Sequence, residues 1–291
     1  MKKTIFTLTE ARTATLYLRN LFALNARDCA CRHETFFDWG NPAMFGPAIY
    51  DAFAGRNGRI RRRLERKRRY IEKLPEAAYL ESSHAFLKSS YLAALDVFPN
   101  LRLIHLVRDP LKVAASAAWR ELWRRRLRVP FHFYAGDDGK RHFVWALTGN
   151  EDIFRLFDGA PLTLFQWYLL QWIEIENRAM AFLNDFQLHG RCFTLRVPED
   201  LDNADILRRM FGFFGLPVRR PQILLARRKN RSFGYISAPP IGLERQRGHI
   251  LERLPSPYLQ IFRREPYASL PWSRPLRESA APPIPAAKAG D

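Results

Sequence analysis

Short apolar runs with β-branched or aromatic members recur at Lys3–Leu8, 77–81, 101–107 and Cys192–Val197, and stretches of helical period separate them. The spacing predicts helices over 13–24, 44–54, 59–73, 85–98, 110–123, 162–186 and 204–214. The last runs into Gly215-Leu216-Pro217, a glycine cap followed by a helix-stopping proline. Strands alternating with helices argue for an α/β fold, a central parallel sheet flanked by helices on both faces. In such sheets ligands gather at the carboxyl ends of the strands, so chemistry is to be sought in the strand-to-helix turns.

The chain has 291 residues, 47% of them hydrophobic and 13% aromatic, which supplies a sizeable core and excludes global disorder. Residues 271–291 hold five of the 20 prolines among alanine, serine and single charges, a composition that cannot pack; a disordered tail is expected there, after one domain over 1–270. The net charge of +18 lies in three stretches, 56–73 (+8), 119–128 (+4) and 219–231 (+6), and implies an anionic partner. Around 56–73, Ile60, Leu64 and Ile71 give a narrow apolar stripe, so a mostly solvated helix is expected. Cys29, Cys31 and Cys192 fit neither a disulfide framework nor a zinc spacing, and the histidines show no ligand spacing, so no metal is assigned. Glu10, Arg12 and Arg19 interrupt the apolar stretch after Met1-Lys2-Lys3 before a signal peptide is complete, and no run reaches the ~18 apolar residues of a membrane span. A soluble, cytoplasmic protein is expected.

Two turns could carry chemistry. The first, Thr9-Glu10-Ala11-Arg12-Thr13-Ala14-Thr15, lies between a strand and an amphipathic helix, where backbone N–H groups, hydroxyls and a guanidinium could cradle a phosphate or sulfate. The alternative is a plain Thr-capped helix; the turn has no glycine and is not a Walker A loop. In the second, Leu106-Val107-Arg108-Asp109-Pro110, Asp-Pro starts a helix on which Lys112, Ser116 and Arg120 share one face. Arg108 and Ser116 could grip one phosphate; a solvated polar face is the alternative.

Together these turns resemble the PAPS-dependent sulfotransferase superfamily, whose donor is 3′-phosphoadenosine 5′-phosphosulfate. Arg12-Thr13-Ala14-Thr15 is similar to the family's basic-Ser-Gly-Thr-Thr turn, and Arg108 with Ser116 to its 3′-phosphate pair at the same spacing of eight. Phe86-Leu87-Lys88-Ser89 through Val107-Arg108-Asp109, and Glu199-Asp200-Leu201 followed by Phe213-Phe214-Gly215-Leu216-Pro217, resemble tyrosylprotein and carbohydrate sulfotransferases. Arg228-Lys229-Asn230 resembles the Arg-Lys-Gly that closes over the 3′-phosphate in cytosolic members. Ala14 stands in place of the family glycine and Leu16 in place of its second threonine. The resemblance implies a P-loop-NTPase-like three-layer fold, and sulfuryl transfer from PAPS to an acceptor hydroxyl of a carbohydrate, peptide tyrosine or small metabolite. It gives Arg12 a leaving-group role and Arg12, Thr13, Ala14, Thr15, Arg108, Ser116, Arg228, Lys229 and Asn230 a donor-binding role.

Two residues could be the base that takes the acceptor proton. Glu34, 22 residues after Arg12, is similar to the Glu-Thr of tyrosylprotein sulfotransferases, and His84, 24 residues before Arg108, to the base of cytosolic ones. A surface carboxylate and a helix-capping histidine are their ordinary alternatives. Trp119, Trp123, Trp145, Trp167 and Trp172 read as packing residues, and 128–150 as an acceptor-side loop. The competing class is a non-catalytic polyanion- or nucleic-acid-binding protein using the basic stretches, although no recognised nucleic-acid motif is present. A P-loop kinase lacks its Walker lysine.

Overall fold

A computed structural model of the chain describes residues 2–34, 40–226 and 242–279. In chain order its elements are β1 (Lys3–Leu8), α1 (Thr15–Asn25), β2 (Cys29–Arg32), α2 (Pro47–Phe53), α3 (Asn57–Lys73), β3 (Ala78–Glu81), α4 (Tyr91–Val97), β4 (Leu101–Arg108) and α5 (Pro110–Arg126). There follow β5 (Phe133–Ala135), β6 (Arg141–Phe143), α6 (Asp152–Arg155), α7 (Leu164–Asp185), β7 (Cys192–Val197), α8 (Ala204–Phe213), α9 (Leu243–Arg253) and α10 (Arg274–Ser279). Five strands pair in the order β2-β3-β1-β4-β7, each pair parallel, while β5 and β6 form a separate antiparallel hairpin. With β1 central and its turn leading into α1, this is the α/β architecture that the alternation of strands and helices predicts, in the three-layer, P-loop-like form that the resemblance implies.

The period of two along each strand divides its side chains between two cores. Phe6 and Leu8 of β1, with Leu101, Leu103 and Val107 of β4, pack beneath α2, α3, α4, α5 and α7. Ile5, Ile104 and Leu106 point the other way, against α1 and α8. Ala114 and Ala117, fully buried on α5, keep that helix thin where it meets the first core.

Several expectations need correction. β2 escapes a search for apolar runs because Cys-Ala-Cys-Arg is short and ends in a charge. The helix predicted over 85–98 begins as one π-helical turn, Phe86–Ser90, before α4. Residues 271–279, expected in the tail, instead form a 3₁₀ turn and α10, because Leu276 is buried and Trp272 meets Trp172 edge-on at 5.6 Å. One buried and one partly buried anchor outweigh a proline-rich composition there; residues 280–291 lie outside the described residues. Trp119 and Trp123 stand 40% exposed against one another rather than packing inward. On α3, Ile60, Leu64 and Ile71 are buried as expected, but so is Lys67, whose Nζ donates to Asn41 and lies 2.5 Å from Glu81 Oε2. Tyr79 donates to the same carboxylate oxygen at 2.6 Å, so this buried charge is paired and hydrogen-bonded.

The sheet is locked to its helical cover and to the C-terminal segment by one carboxylate. Glu176 of α7 takes a hydrogen bond from Tyr267 (2.6 Å) and meets His105 Nε2 of β4 at 2.9 Å, and all three side chains are buried. Glu176→Ala would leave two buried polar groups without their shared acceptor, at about 1–3 kcal/mol each. Urea unfolding should show a loss of about 2–5 kcal/mol, and a loss below about 1 kcal/mol would show that this junction does not hold the layers together.

Candidate active site

Because the sheet is parallel, β1, β2, β3 and β4 all end at one edge. That edge gathers residues far apart in sequence: the turn 9–14 after β1, His33 and Glu34 after β2, His84 after β3, and Arg108 at the end of β4.

In the first turn Arg12 and Ala14 adopt φ of 69° and 66°, whereas Thr13 between them does not share the left-handed conformation. Alternation of this kind turns successive N–H groups toward one side, the geometry of an anion-binding nest. Ala14 thus holds a left-handed conformation that a glycine would adopt freely, at roughly 1–2 kcal/mol of steric cost. It is also the N-cap of α1 and offers no side-chain cap, so the plain Thr-capped helix is not what forms. The Thr13 hydroxyl is a correction to the expected cradle: it is buried, donates to the Glu10 carbonyl and lies 2.5 Å from Thr9 Oγ1. Thr13 can offer a ligand its backbone but not its hydroxyl. Thr15, also buried, opens α1.

The two expected phosphate grips meet. Arg12 Nε donates to Ser116 Oγ at 2.8 Å, and Arg108 Nη1 donates to the Arg12 carbonyl. Asp109 caps α5 by accepting from the Leu111 N–H at 2.9 Å, and Pro110 follows it, as the Asp-Pro pair predicts. Ser116, one face of α5 away from the sheet-packing alanines, therefore shares a cluster with both arginines. Arg228, Lys229 and Asn230 lie outside the described residues.

Both candidate bases are buried side by side. Glu34 Oε1 lies 3.0 Å from His84 Nε2, within reach though not aligned as a hydrogen bond, and accepts from the His84 backbone N–H at 3.4 Å. The other imidazole nitrogen, Nδ1, is 3.1 Å from Lys88 Nζ. Lys88 is fully buried and has two further acceptors, Glu10 Oε1 at 2.9 Å and the Trp145 carbonyl at 2.7 Å. An ammonium only donates, so His84 Nδ1 accepts and the ring proton of the neutral imidazole sits on Nε2, facing Glu34. Burial, followed by the charges of Lys88 and Arg120, holds the His84 pKa well below the ordinary histidine range, so the ring is neutral at pH 7. Burial also lowers the Lys88 pKa, against the opposing pull of Glu10.

Lys88, Glu10, Gln171 and Trp145 join the site, a role that sequence reasoning does not assign to them. Gln171 Nε2 donates to Glu10 Oε1 at 2.9 Å while its Oε1 accepts from the Leu147 N–H at 2.7 Å, tying α7 and the 128–150 insertion to the first turn. The available signal is a lysine four residues after a histidine in an otherwise apolar helix start. The insertion folds as the β5–β6 hairpin and forms, with α5 and α7, a cleft of about 240 Å³ lined by Arg125, Arg141, Asn150 and Trp167 among others. Among the described residues no cluster of His, Cys, Asp and Glu could hold a metal ion, and no helix is long and apolar enough to cross a membrane.

No family model matches the sequence, and no curated protein matches it. Among solved structures the chain is similar to sulfotransferase STF9 from Mycobacterium avium, with 15% identity and a TM-score of 0.46 over 74% of this chain and 64% of that one. The chain thus spans less than two thirds of the length of that structure. It is also similar to a sulfotransferase from Alicyclobacillus acidocaldarius, with 16% identity and a TM-score of 0.45 over 87% of this chain and 94% of that one.

Proposed function

We propose that this chain is a sulfotransferase that moves a sulfuryl group from PAPS to an acceptor hydroxyl. The observation that carries the reading is the junction of Arg12, Arg108 and Ser116 at a glycine-like turn, joined through Glu10 and Lys88 to the buried Glu34–His84 pair. The turn's N–H groups and Arg12 suit the 5′-phosphosulfate, and Arg108 with Ser116 suits the 3′-phosphate. In the reaction the acceptor oxygen bonds to sulfur as the bond from sulfur to the 5′-phosphate oxygen breaks, leaving adenosine 3′,5′-bisphosphate and a sulfate ester. Arg12 meets the charge that gathers on the departing phosphate, and Glu34 receives the acceptor proton. His84 is a positioning residue in this reading, because its Nε2 already carries a proton and is turned to Glu34. The polyanion-binding alternative would use the basic helix α3, most of whose arginines lie at the surface while Lys67 is buried against Glu81; the heparin arm of the comparison below decides between the two readings.

A thermal-shift comparison of adenosine 3′,5′-bisphosphate, ATP, NAD and heparin tests the class, with selective stabilisation by the bisphosphate expected. In titration calorimetry Arg108→Ala should weaken the bisphosphate roughly tenfold to a hundredfold, the worth of a charge-assisted hydrogen bond. Unchanged affinity in a folded variant would remove Arg108 from the donor site.

Single-turnover sulfuryl transfer separates the two bases. Glu34→Gln should lose about 100-fold or more with bisphosphate binding intact, and His84→Asn should lose less. The reverse ranking would assign the proton to His84.

Neutral His84 also has a pH signature. The unfolded chain takes a proton on this residue below about pH 6.5 and the folded chain does not, so stability falls as pH drops through that value and is unaffected above it. Over pH 6 to 5, wild type should lose up to roughly 1.4 kcal/mol per pH unit more than His84→Asn in chemical denaturation. Identical slopes would mean that His84 is charged in the folded protein.

A further inference from the structure

Arg120 stands one helical turn beyond Ser116 on α5, its guanidinium 4.6 Å from the ring centre of Trp145 and 5.6 Å from that of Phe143. Its Nε and Nη2 are buried, and neither has a hydrogen-bond acceptor among the described residues. The acids of the site have other partners, Glu10 through its Oε1 alone. Glu121 is held by Arg125 (2.7 Å) and Tyr168 (2.5 Å), Glu10 by Lys88 and Gln171, and Glu34 lies against His84. Arginine does not give up its proton at ordinary pH, and buried charged N–H groups without an acceptor are costly. Moreover, Nε and Nη2 form the flat side edge of a guanidinium, whose two parallel N–H bonds match the two oxygens of a carboxylate.

The position indicates which reactant supplies that group. Trp145, over which Arg120 lies, gives its carbonyl to Lys88, and Lys88 holds His84. The charge of Arg120 is felt at His84, Lys88 and His132. Arg120 therefore borders the base as well as lying one turn from Ser116.

Resting on the sulfotransferase reading, we propose that Arg120 recognises an anionic acceptor: a hydroxyl compound bearing a carboxylate, which pairs with the Nε–Nη2 edge while the hydroxyl faces Glu34. The aromatic rings beneath the guanidinium keep it flat and directed, and Arg125 and Arg141 in the neighbouring cleft add positive potential on the same side of the molecule.

The test uses the full chain saturated with adenosine 3′,5′-bisphosphate, as wild type, Arg120→Lys and Arg120→Gln. Two probe pairs are titrated: 4-hydroxybenzoate against 4-hydroxybenzamide, and glucuronate against glucose. Wild type should prefer the carboxylate in at least one pair by roughly tenfold or more. Arg120→Gln should abolish that preference, and Arg120→Lys should keep part of it, having the charge without the fork. Bisphosphate affinity should stay within about twofold in all three, which also shows that the variants fold. No preference in wild type, or a preference that survives in Arg120→Gln, would overturn the proposal. So would an Arg120→Gln variant that loses affinity for PAPS but not for the bisphosphate, since Arg120 would then hold the transferring sulfonate. If wild type fails to bind the bisphosphate at all, the sulfotransferase reading falls and this proposal with it.

Discussion

The ammonium of Lys88 ties together three parts of the chain directly and a fourth through Glu10. Its three donors go to Glu10 in the turn after β1, to His84 after β3, and to the carbonyl of Trp145 in the insertion, while Glu10 also holds Gln171 of α7. Both members of the ion pair are wholly buried. Such a pair is poor value as pure stabilisation, because desolvating two charges offsets most of their attraction. What it does provide is geometry: removal of either partner would leave a buried charge uncompensated, so the turn, the imidazole and the insertion are held in one relative placement. Lys88 lies within the π-helical turn Phe86–Ser90, all five residues of which are buried.

A second constraint acts on the backbone. A turn that presents its N–H groups to an anion needs left-handed residues, and here Arg12 and Ala14, neither of them glycine, occupy that region. The cost is borne by contacts on either side of the turn. Thr9 and Thr13 bond to each other beneath it, Thr9 also reaches the Leu106 carbonyl, and Arg108 grips the Arg12 carbonyl from above. Strain kept in place by so many contacts fits the binding role proposed for this turn.

The layers were legible in the sequence because their cause is local. Four apolar runs mark four of the five sheet strands, and the Asp109-Pro110 signal opens α5 at the residue expected. Where tertiary pairing decides, composition misleads. Lys67 looks like one more solvated base on α3 until Glu81 and Asn41 close on it, and residues 271–279 look unstructured until Trp272 finds Trp172. The same limit applies to the site. Arg12, Arg108 and Ser116 could be read from turn chemistry and spacing, since each sits at a strand end or on the adjacent helical face. Glu10, Gln171 and Trp145 act through contacts across 78, 161 and 57 residues, a juxtaposition that no local pattern records.

The net charge of +18 illustrates how little a sum says about a site. Most of the basic side chains on α3 lie at the surface, where a charge costs little and discriminates little. Two cations away from water behave differently, in opposite ways. Lys88 is fully satisfied by protein acceptors and so can only organise what surrounds it. Arg120, with two buried N–H groups and no acceptor for them among the described residues, would retain an interaction for a reactant to complete. Specificity for an anion would come from that single incomplete valence beside the base, and the rest of the positive charge would serve to draw such a molecule in.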